Sequence, residues 1–377
     1  MQTSFKVGLI VNPIAGMGGS VGLKGTDGEE ILREAIKRGA KPVAPKRTLR
    51  FLRRLKTLLE SENLKLQLYT YPHPMGEKEA IKAGFKPIVI GKLSSEKTTA
   101  EDTIKAAREM EKAGVEIIAF AGGDGTACDI YEAIKDRVPI IGIPTGVKMH
   151  SGVFASSPEA AADLLVKYLK GSAPLGTVEV MDLDEDLFRK GIIAAKLKGY
   201  LKSPIDRFLL QSSKSYSQPT HDEELNKMGI AREVIEQMEK DTLYIIGPGT
   251  TTKAIADMLK IDKTLLGVDV VLNGKLIAKD VDESKLLELL GKFDKAKIIV
   301  TPIGSQGFIF GRGNQQISAK VIRKVGRDNI IVIATRGKLA KTPFLRVDTG
   351  DPKLDEKLKG YWKVVTDYGE YTVVKCI

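Results

Sequence analysis

The sequence predicts an α/β protein of two domains, with a parallel sheet in the first domain and a mixed, strand-rich second domain. Three observations support this prediction. The chain has 377 residues, which is more than one domain usually holds. Strand-like and helix-like segments alternate through residue 147, as in a parallel sheet that is covered on both faces. After Pro144 the pattern changes, and two strand-like segments follow each other.

The elements are predicted from apolar runs for strands and from amphipathic periodicity for helices. The first domain is expected to hold strands at 6–11, 64–71, 86–90, 115–121 and 138–143, and helices at 29–38, 49–59, 99–112 and after 126. Beyond it, helices are expected at 157–169, within 219–240, and at 253–259, 317–324 and 353–359. Strands are expected there at 176–183, 191–201, 243–246, 297–300, 329–334, 362–365 and 371–374.

The segment 117–126 is the most informative, because a short apolar run ends in Gly-Gly-Asp-Gly-Thr and a helical pattern follows. Glycines let the backbone approach a ligand, and a helix N-terminus attracts phosphate. A carboxylate beside a phosphate repels it, unless the carboxylate binds Mg²⁺ or takes a proton from an attacking hydroxyl. The turn therefore predicts phosphate chemistry around Asp124. Two other interpretations stay open: Asp124 could simply cap the helix, or the turn could be structural.

A glycine-rich loop at 14–28 follows the first strand and leads into a helix, which is the layout of a nucleotide phosphate site. It matches neither a Walker A loop nor the dinucleotide fingerprint. Its length favours a loop that orders on a ligand, and the alternative is a surface loop with no ligand. In a parallel sheet, Asn12, Asp124 and the turn at 144–146 all follow strand ends. We therefore expect them on one edge.

Three segments of the second half carry weaker signals. The turn at 247–252 places small hydroxyl residues at a helix start, which suits a phosphate or a simple threonine cap equally. The segment Thr-Pro-Ile-Gly-Ser at 301–305 follows a strand. The acidic run at 182–186 could hold a metal, but a solvated connection is the favoured interpretation.

Composition narrows the class of protein. Hydrophobic residues make up 42% and charged residues 28%, as in soluble globular proteins. There is neither an apolar run long enough for a membrane span nor a signal-peptide pattern, and Cys128 and Cys376 show no metal spacing, so a cytoplasmic protein is expected. The net charge of +11 is spread along the chain. The densest basic run, at 46–56, is interpreted as the solvated face of an amphipathic helix, and no nucleic-acid partner is expected.

These turns together resemble the ATP–NAD kinase family, which is related to diacylglycerol kinases, sphingosine kinases and phosphofructokinase. The segment 122–126 matches the family signature Gly-Gly-Asp-Gly-Thr, and 301–305 resembles its Thr-Pro-Thr-Gly-Ser segment. The motifs at 12–19 and 74–77 are similar to an archaeal and bacterial branch described as ATP–NAD kinase-like or AcoX-like. The resemblance covers most of the chain, but only the first two motifs are diagnostic.

The resemblance implies an NAD kinase-like fold and a role for each motif. Asp124 would be catalytic, orienting or deprotonating the 2′-hydroxyl of the adenosine ribose of NAD. The residues implied for phosphate and dinucleotide binding are Asn12, Gly122, Gly123, Gly125, Thr126, Thr145, Gly146, Thr301, Pro302, Gly304 and Ser305. The chain departs from the family where Pro144 replaces the usual asparagine of Asn-Thr-Gly, where an Asn-Glu/Asp motif is missing, and in segment 201–252. These departures concern the acceptor more than the phosphoryl transfer.

The sequence thus predicts a kinase that uses Mg²⁺ and ATP to convert NAD to NADP in a cleft between its domains. The domains are expected at 1–147 and 148–345, with a tail at 346–377 for which a return to the first domain is one option. A homo-oligomer without a membrane partner is expected. The alternatives are a kinase for a lipid or sugar hydroxyl and a non-catalytic nucleotide-binding regulator. An Asp124→Asn variant is expected to fold normally yet lose most turnover. The kinase prediction fails if nucleotide binds far from residue 124, or if the protein's own main chain engages this carboxylate entirely.

Overall fold

The structure is a computed structural model that describes residues 4–23, 29–93, 95, 97–146, 149–183, 195–206, 209–210, 221–303 and 306–377. The chain divides into two compact units. The first comprises Met1–Met17 and Gly25–Ser213, and the second comprises Gly18–Lys24 and Lys214–Ile377. The described part of the short segment, residues 18–23, therefore belongs to the second unit.

The first unit is built on a five-stranded parallel sheet in the order β3-β2-β1-β4-β5. The strands are β1 (Phe5–Val11), β2 (Leu66–Thr70), β3 (Ile88–Val89), β4 (Ile117–Gly122) and β5 (Ile140–Pro144). The helices are α1 (Glu29–Lys37), α2 (Ala44–Ser61), α3 (Glu77–Lys82), α4 (Ala100–Lys112), α5 (Asp124–Ile134) and α6 (Pro158–Leu169). The parallel α/β layer predicted from the alternating pattern is confirmed.

Both faces of this sheet are buried under helices. Successive side chains of a strand point to opposite faces, so each strand contributes to two cores. Along β4, Ile117 and Ala119 join a core with α2 and α6, whereas Ile118 and Phe120 join a core with α4 and α5. Every residue of β4 is buried, which explains its unbroken apolar sequence.

The basic run at 46–56 lies on α2, and part of it is not solvated as predicted. Arg50 forms a bidentate ion pair with Glu159 of α6, at 2.8 and 2.9 Å. Arg54 contacts Asp163, one turn further along the same helix, at 2.7 Å. The solvated-face interpretation is wrong for Arg50, whose side chain is 17% exposed, because α6 supplies an acid at matching spacing, which a single helix cannot reveal. Arg54 stays exposed at 42% although it pairs with α6.

A long antiparallel hairpin, β6 (Leu175–Leu183) with β7 (Ala195–Pro204), also packs within the first unit. It contacts α5 and β5, and α6 contacts α2. The first unit therefore extends beyond the predicted boundary at residue 147. Most of the acidic run at 182–186 lies outside the described residues.

The second unit holds a seven-stranded mixed sheet in the order β10-β9-β8-β11-β13-β15-β16. Its parallel centre is β8 (Leu243–Ile246), β11 (Ala296–Val300), β13 (Ile330–Ile333) and β15 (Gly360–Asp367). Antiparallel strands flank it: β9 (Asp269–Leu272), β10 (Lys275–Ala278) and β16 (Glu370–Cys376). Two short strands, β12 (Phe308–Phe310) and β14 (Arg346–Val347), pair separately.

Helices cover this sheet as well: α7 (His221–Glu236), α8 (Thr250–Met258), α9 (Glu283–Leu289), α10 (Ala319–Val325), α11 (Arg336–Lys341) and α12 (Pro352–Leu358). The mixed second sheet agrees with the predicted fold class. The tail differs from the predicted division, because β15 and β16 continue the second sheet beside β13.

The segment 18–23 packs on the second unit through its backbone. The amide of Glu283 donates to the carbonyl of Ser20 at 3.4 Å, and a side chain added at Gly19 would press on Gln315. Part of the glycine-rich loop is thus held by protein contacts, and residues 24–28 lie outside the described residues.

Candidate functional site

The strand order of the first sheet places a topological switch point between β1 and β4, since the chain proceeds in opposite directions from β1. Open parallel sheets bind ligands outside the carboxyl ends of the strands at such a point. Asn12 follows β1, the turn at 122–126 follows β4, and Thr145 follows β5. The predicted residues of the first unit therefore come together at this edge.

The turn at 122–126 forms a strand, a glycine and a helix N-terminus, as the sequence predicts. Gly122 has no room for a side chain, because an added Cβ would lie 2.5 Å from the side chain of Thr126. Gly123 is the N-cap of α5 in extended conformation, and no side chain caps the helix. The amides at the start of α5 are thus available to an anion. Asp124 is the first residue of α5 and not its N-cap.

The Asp124 carboxylate instead accepts hydrogen bonds from the segment after β5. Its Oδ2 accepts the amide of His150 at 2.7 Å, and its Oδ1 accepts the amide of Ser151 at 2.9 Å. The hydroxyl of Ser151 donates to the same Oδ1 at 2.6 Å. Asp124 is only 6% exposed.

Ser151 extends this network to the hairpin, because its hydroxyl oxygen also accepts the amide of Met181 at 2.9 Å. Asp124 therefore anchors residues 150 and 151 beside the glycine turn. The sequence did not predict this structural role, and it changes one expectation. An asparagine at 124 would place an amide group against donors, so it is not expected to fold as well as the wild type.

Asn12 connects β1 to the same helix. Its Nδ2 donates to Thr126 Oγ1 at 3.1 Å, and its Oδ1 accepts the amide of Ile14 at 3.3 Å. Gly16 has φ +80°, and a Cβ there would lie 1.9 Å from the carbonyl oxygen of Thr145. The start of the glycine loop is therefore held tightly between β1 and the Thr145 turn.

The turn after β5 closes the site on its other side. The amides of Thr145 and Gly146 both donate to the carbonyl of Gly122, each at 3.2 Å. The Thr145 hydroxyl is buried, and it has no partner among the described residues. Arg47 of α2, which the sequence did not single out, donates to the carbonyl of Pro144 at 3.1 Å.

The remaining predicted residues belong to the second unit. Thr301 and Pro302 follow β11 at the carboxyl edge of that sheet, whereas Gly304 and Ser305 lie outside the described residues. The Thr301 hydroxyl accepts a hydrogen bond from Lys338 at 3.1 Å. No sequence motif marks Lys338. It lies four residues after Ala334, a buried residue at the end of a strand pattern.

Two further observations limit the chemistry of the described residues. No three or more His, Cys, Asp or Glu side chains among them could jointly hold a metal ion. Burial, together with the charges of Asp182 and Asp124, raises the pKa of the Cys128 thiol to about 12, so it is no nucleophile at neutral pH. Among all residues that the structure describes, no helix has the length and apolar character of a bilayer span.

Comparison with known proteins adds the family. The family model of the ATP-NAD kinase N-terminal domain matches residues 7–173, and that of the ATP-NAD kinase C-terminal domain matches residues 239–376. The chain belongs to the ATP-NAD kinase family. The two matches cover most of the chain and include both motifs that carry the resemblance. No curated protein matches the sequence.

Solved structures resemble the chain only distantly. An NAD kinase from Archaeoglobus fulgidus in complex with ATP is 14% identical, with 50% of this chain and 45% of that chain covered and a TM-score of 0.20. The chain thus spans about half the length of that kinase. UDP-GlcNAc 2-epimerase from Neisseria meningitidis bound to UDP-GlcNAc is 9% identical, with 92% and 78% covered and a TM-score of 0.25. Scores this low carry no argument about function.

Proposed function

We propose that the protein is an ATP-dependent kinase that transfers the γ-phosphoryl group of ATP to the 2′-hydroxyl of the adenosine ribose of NAD. The products would be NADP and ADP. One observation carries the proposal: in a member of this family, the Gly-Gly-Asp-Gly-Thr turn and Asn12 lie at the switch point of a parallel sheet.

The binding groups of the first unit suit phosphates. The amides at the start of α5 point their partial positive charge at the edge of the sheet, and Gly123 leaves them uncovered. The Thr145 hydroxyl offers a buried donor without a partner among the described residues. Mg²⁺ is proposed to enter with ATP as part of the substrate, because the described residues provide no metal-binding group of acids.

Asp124 is proposed to act mainly by position. Phosphoryl transfer depends on positioning and charge stabilisation more than on a strong base. By holding the amides of His150 and Ser151, the carboxylate shapes the segment next to the glycine turn. The earlier expectation that Asp124 takes the acceptor proton remains a prediction.

The engagement of Asp124 favours a second candidate, a non-catalytic nucleotide-binding regulator. In that case the carboxylate would serve the fold alone, and the site would bind ATP or NAD without turnover. A lipid or sugar hydroxyl as acceptor is the remaining alternative to NAD.

Incubation of the full chain with Mg-ATP and NAD tests these functions. NADP formation, measured with an NADP-specific dehydrogenase, supports the proposal. ADP release that occurs only when a lipid or sugar alcohol replaces NAD would show that this alcohol, and not NAD, is the acceptor. ATP binding without ADP release would establish the regulator and overturn the kinase.

Asp124→Asn and Ser151→Ala separate the two roles of the carboxylate. Ser151→Ala removes one hydrogen bond to Asp124, together with the one from the Met181 amide, and keeps the charge. If Asp124 contacts the acceptor, Asp124→Asn loses far more turnover than Ser151→Ala at equal folded fraction. Equal losses in both variants would leave Asp124 with a structural role only.

A further inference from the structure

We propose that the carboxyl edge of the second sheet holds a phosphate-binding site formed by Lys338, Thr251 and Thr301, which takes a phosphate group of a nucleotide. It deepens the proposed function in one respect, because ATP and NAD are taken as the source of the phosphate. The site itself is argued from the second unit alone.

Three neighbouring parallel strands bring these residues together. Thr251 lies in the first turn of α8 after β8, Thr301 directly follows β11, and Lys338 lies on α11 after β13. The strands β8, β11 and β13 are adjacent in the sheet. The Lys338 ammonium donates to Thr251 Oγ1 at 3.3 Å and to Thr301 Oγ1 at 3.1 Å.

The charge of Lys338 is not balanced by a contacting acid. Among the described residues no carboxylate forms an ion pair with its ammonium, and its two partners there are neutral hydroxyls. Desolvation lowers the pKa of Lys338 to about 8; the charge of Glu223 opposes this shift, and that of Lys227 adds to it. Lys338 is part-buried, and a partly desolvated cation without a contacting acid is stabilised when an anion binds.

Hydroxyl donors converge on the same point. Thr251 and Thr301 are 0% and 2% exposed. Each hydroxyl oxygen accepts from Lys338, and within the described residues neither hydroxyl donates a hydrogen bond of its own. Two hydroxyls with a hydrogen to donate and one ammonium therefore lie within hydrogen-bond distance of each other, and this set suits the several acceptor oxygens of a phosphate.

The start of α8 adds to this set. Its N-cap is Gly249, and no side chain caps the helix. The positive end of the helix dipole thus lies beside a lysine, where the two repel each other unless an anion separates them. By contrast, Thr252 is satisfied, because its hydroxyl donates to the carbonyls of Gly247 and Gly249 at 2.8 and 2.9 Å.

Binding measurements on the full chain test the site without relying on turnover. Calorimetry would measure the affinities of ATP, NAD and tripolyphosphate for the wild type, Lys338→Gln, Thr251→Val and the control Lys357→Gln. Lys357 is exposed on α12, and it has no hydrogen bond or ion pair among the described residues. It therefore controls for the loss of one positive charge.

We expect Lys338→Gln to weaken at least one of the three probes by about tenfold or more, the size of a charge-assisted hydrogen bond to phosphate. Thr251→Val should weaken the same probe by a smaller factor, and Lys357→Gln should change it less than twofold. A Lys338→Met variant that melts above the wild type without ligand would show that the lysine does not serve folding.

The proposal is overturned if the wild type binds none of the probes, or if Lys338→Gln binds all three within twofold of the wild type. These results are independent of the kinase assay. If the protein forms no NADP but needs Lys338 to bind tripolyphosphate, the phosphate site is supported and the proposed kinase function is overturned. If NADP formation and binding of the probes are both unchanged in Lys338→Gln, the kinase function is supported and the phosphate site is overturned.

Discussion

The two sheets end in sites of opposite character. At the edge of the first sheet a buried acid, Asp124, is surrounded by amide and hydroxyl donors. At the edge of the second sheet a lysine, Lys338, meets two hydroxyls and no contacting acid among the described residues. The acid is satisfied by the protein and the lysine is not. A charge that the fold neutralises indicates a structural role, whereas a charge left unbalanced indicates a ligand.

The largest expected effect follows from removing the satisfied charge. Asp124→Ala deprives two buried amides and the Ser151 hydroxyl of their acceptor, and each such group costs about 1–3 kcal/mol. We expect the free energy of unfolding in urea to fall by about 3 kcal/mol or more. Asp136→Ala, at an exposed acid, is the control, and equal stability of the two variants would contradict the anchoring role.

Next in size is the glycine that holds the loop against the first site. Gly16 and Gly39 have nearly the same φ, +80° and +81°, but only Gly16 faces a carbonyl at 1.9 Å from an added Cβ. Gly39→Ala should cost about 1 kcal/mol from backbone strain, and Gly16→Ala distinctly more. Thermal unfolding measures the difference. Similar melting temperatures would show that the close approach of residue 16 to Thr145 does not matter.

Replacing Lys338 should change stability in the opposite direction. Because the pKa of Lys338 is lowered from 10.5 to about 8, its charge opposes folding below pH 8, and this cost disappears as pH rises towards 10.5. Without ligand, Lys338→Met is expected to be more stable than the wild type at pH 7, by on the order of 2 kcal/mol.

The pH dependence makes this prediction specific. The advantage of Lys338→Met should shrink between pH 8 and pH 10.5, as followed by urea unfolding. Lys263, whose pKa is lowered to about 8 as well, is present in both proteins and cancels in the difference. A stability difference that does not vary with pH would mean that the lysine charge is not the cause.

The smallest effect concerns a single buried hydroxyl. Thr145→Val removes a group without a hydrogen-bond partner among the described residues, so stability should change by less than about 1 kcal/mol. If the first site binds nucleotide, the KM for ATP or NAD should rise severalfold. Thr342→Val, at another buried hydroxyl without a described partner, is the matched control for stability. An unchanged KM would remove Thr145 from the site.

Much of the first unit was predictable, because local pattern and tertiary burial agree there. The fully apolar run of β4 and the glycines after it predict a strand, a turn and a helix, and all three are present. The second unit was harder. The hairpin β9–β10 was missed, although its turn Asn273-Gly274, with φ 49° and 71°, is a strong hairpin signal.

The candidate sites were only partly accessible from sequence. Asp124 and Thr301 were identified by motif, but their partners Ser151 and Lys338 were not, because the partners lie 27 and 37 residues away. A motif describes one strand end. A site of this kind is made where several strand ends meet, and sequence periodicity does not report which ends are neighbours.

By itself, the sequence determined the family, the α/β class and the glycine turn that starts α5, since each depends on residues close together in the chain. The tertiary structure decided the strand orders, the extent of the first unit and the state of each buried charge. The physical reason is that a charged side chain is stabilised by whatever surrounds it in space. Asp124 met donors from the segment after β5, and Lys338 met only hydroxyls among the described residues.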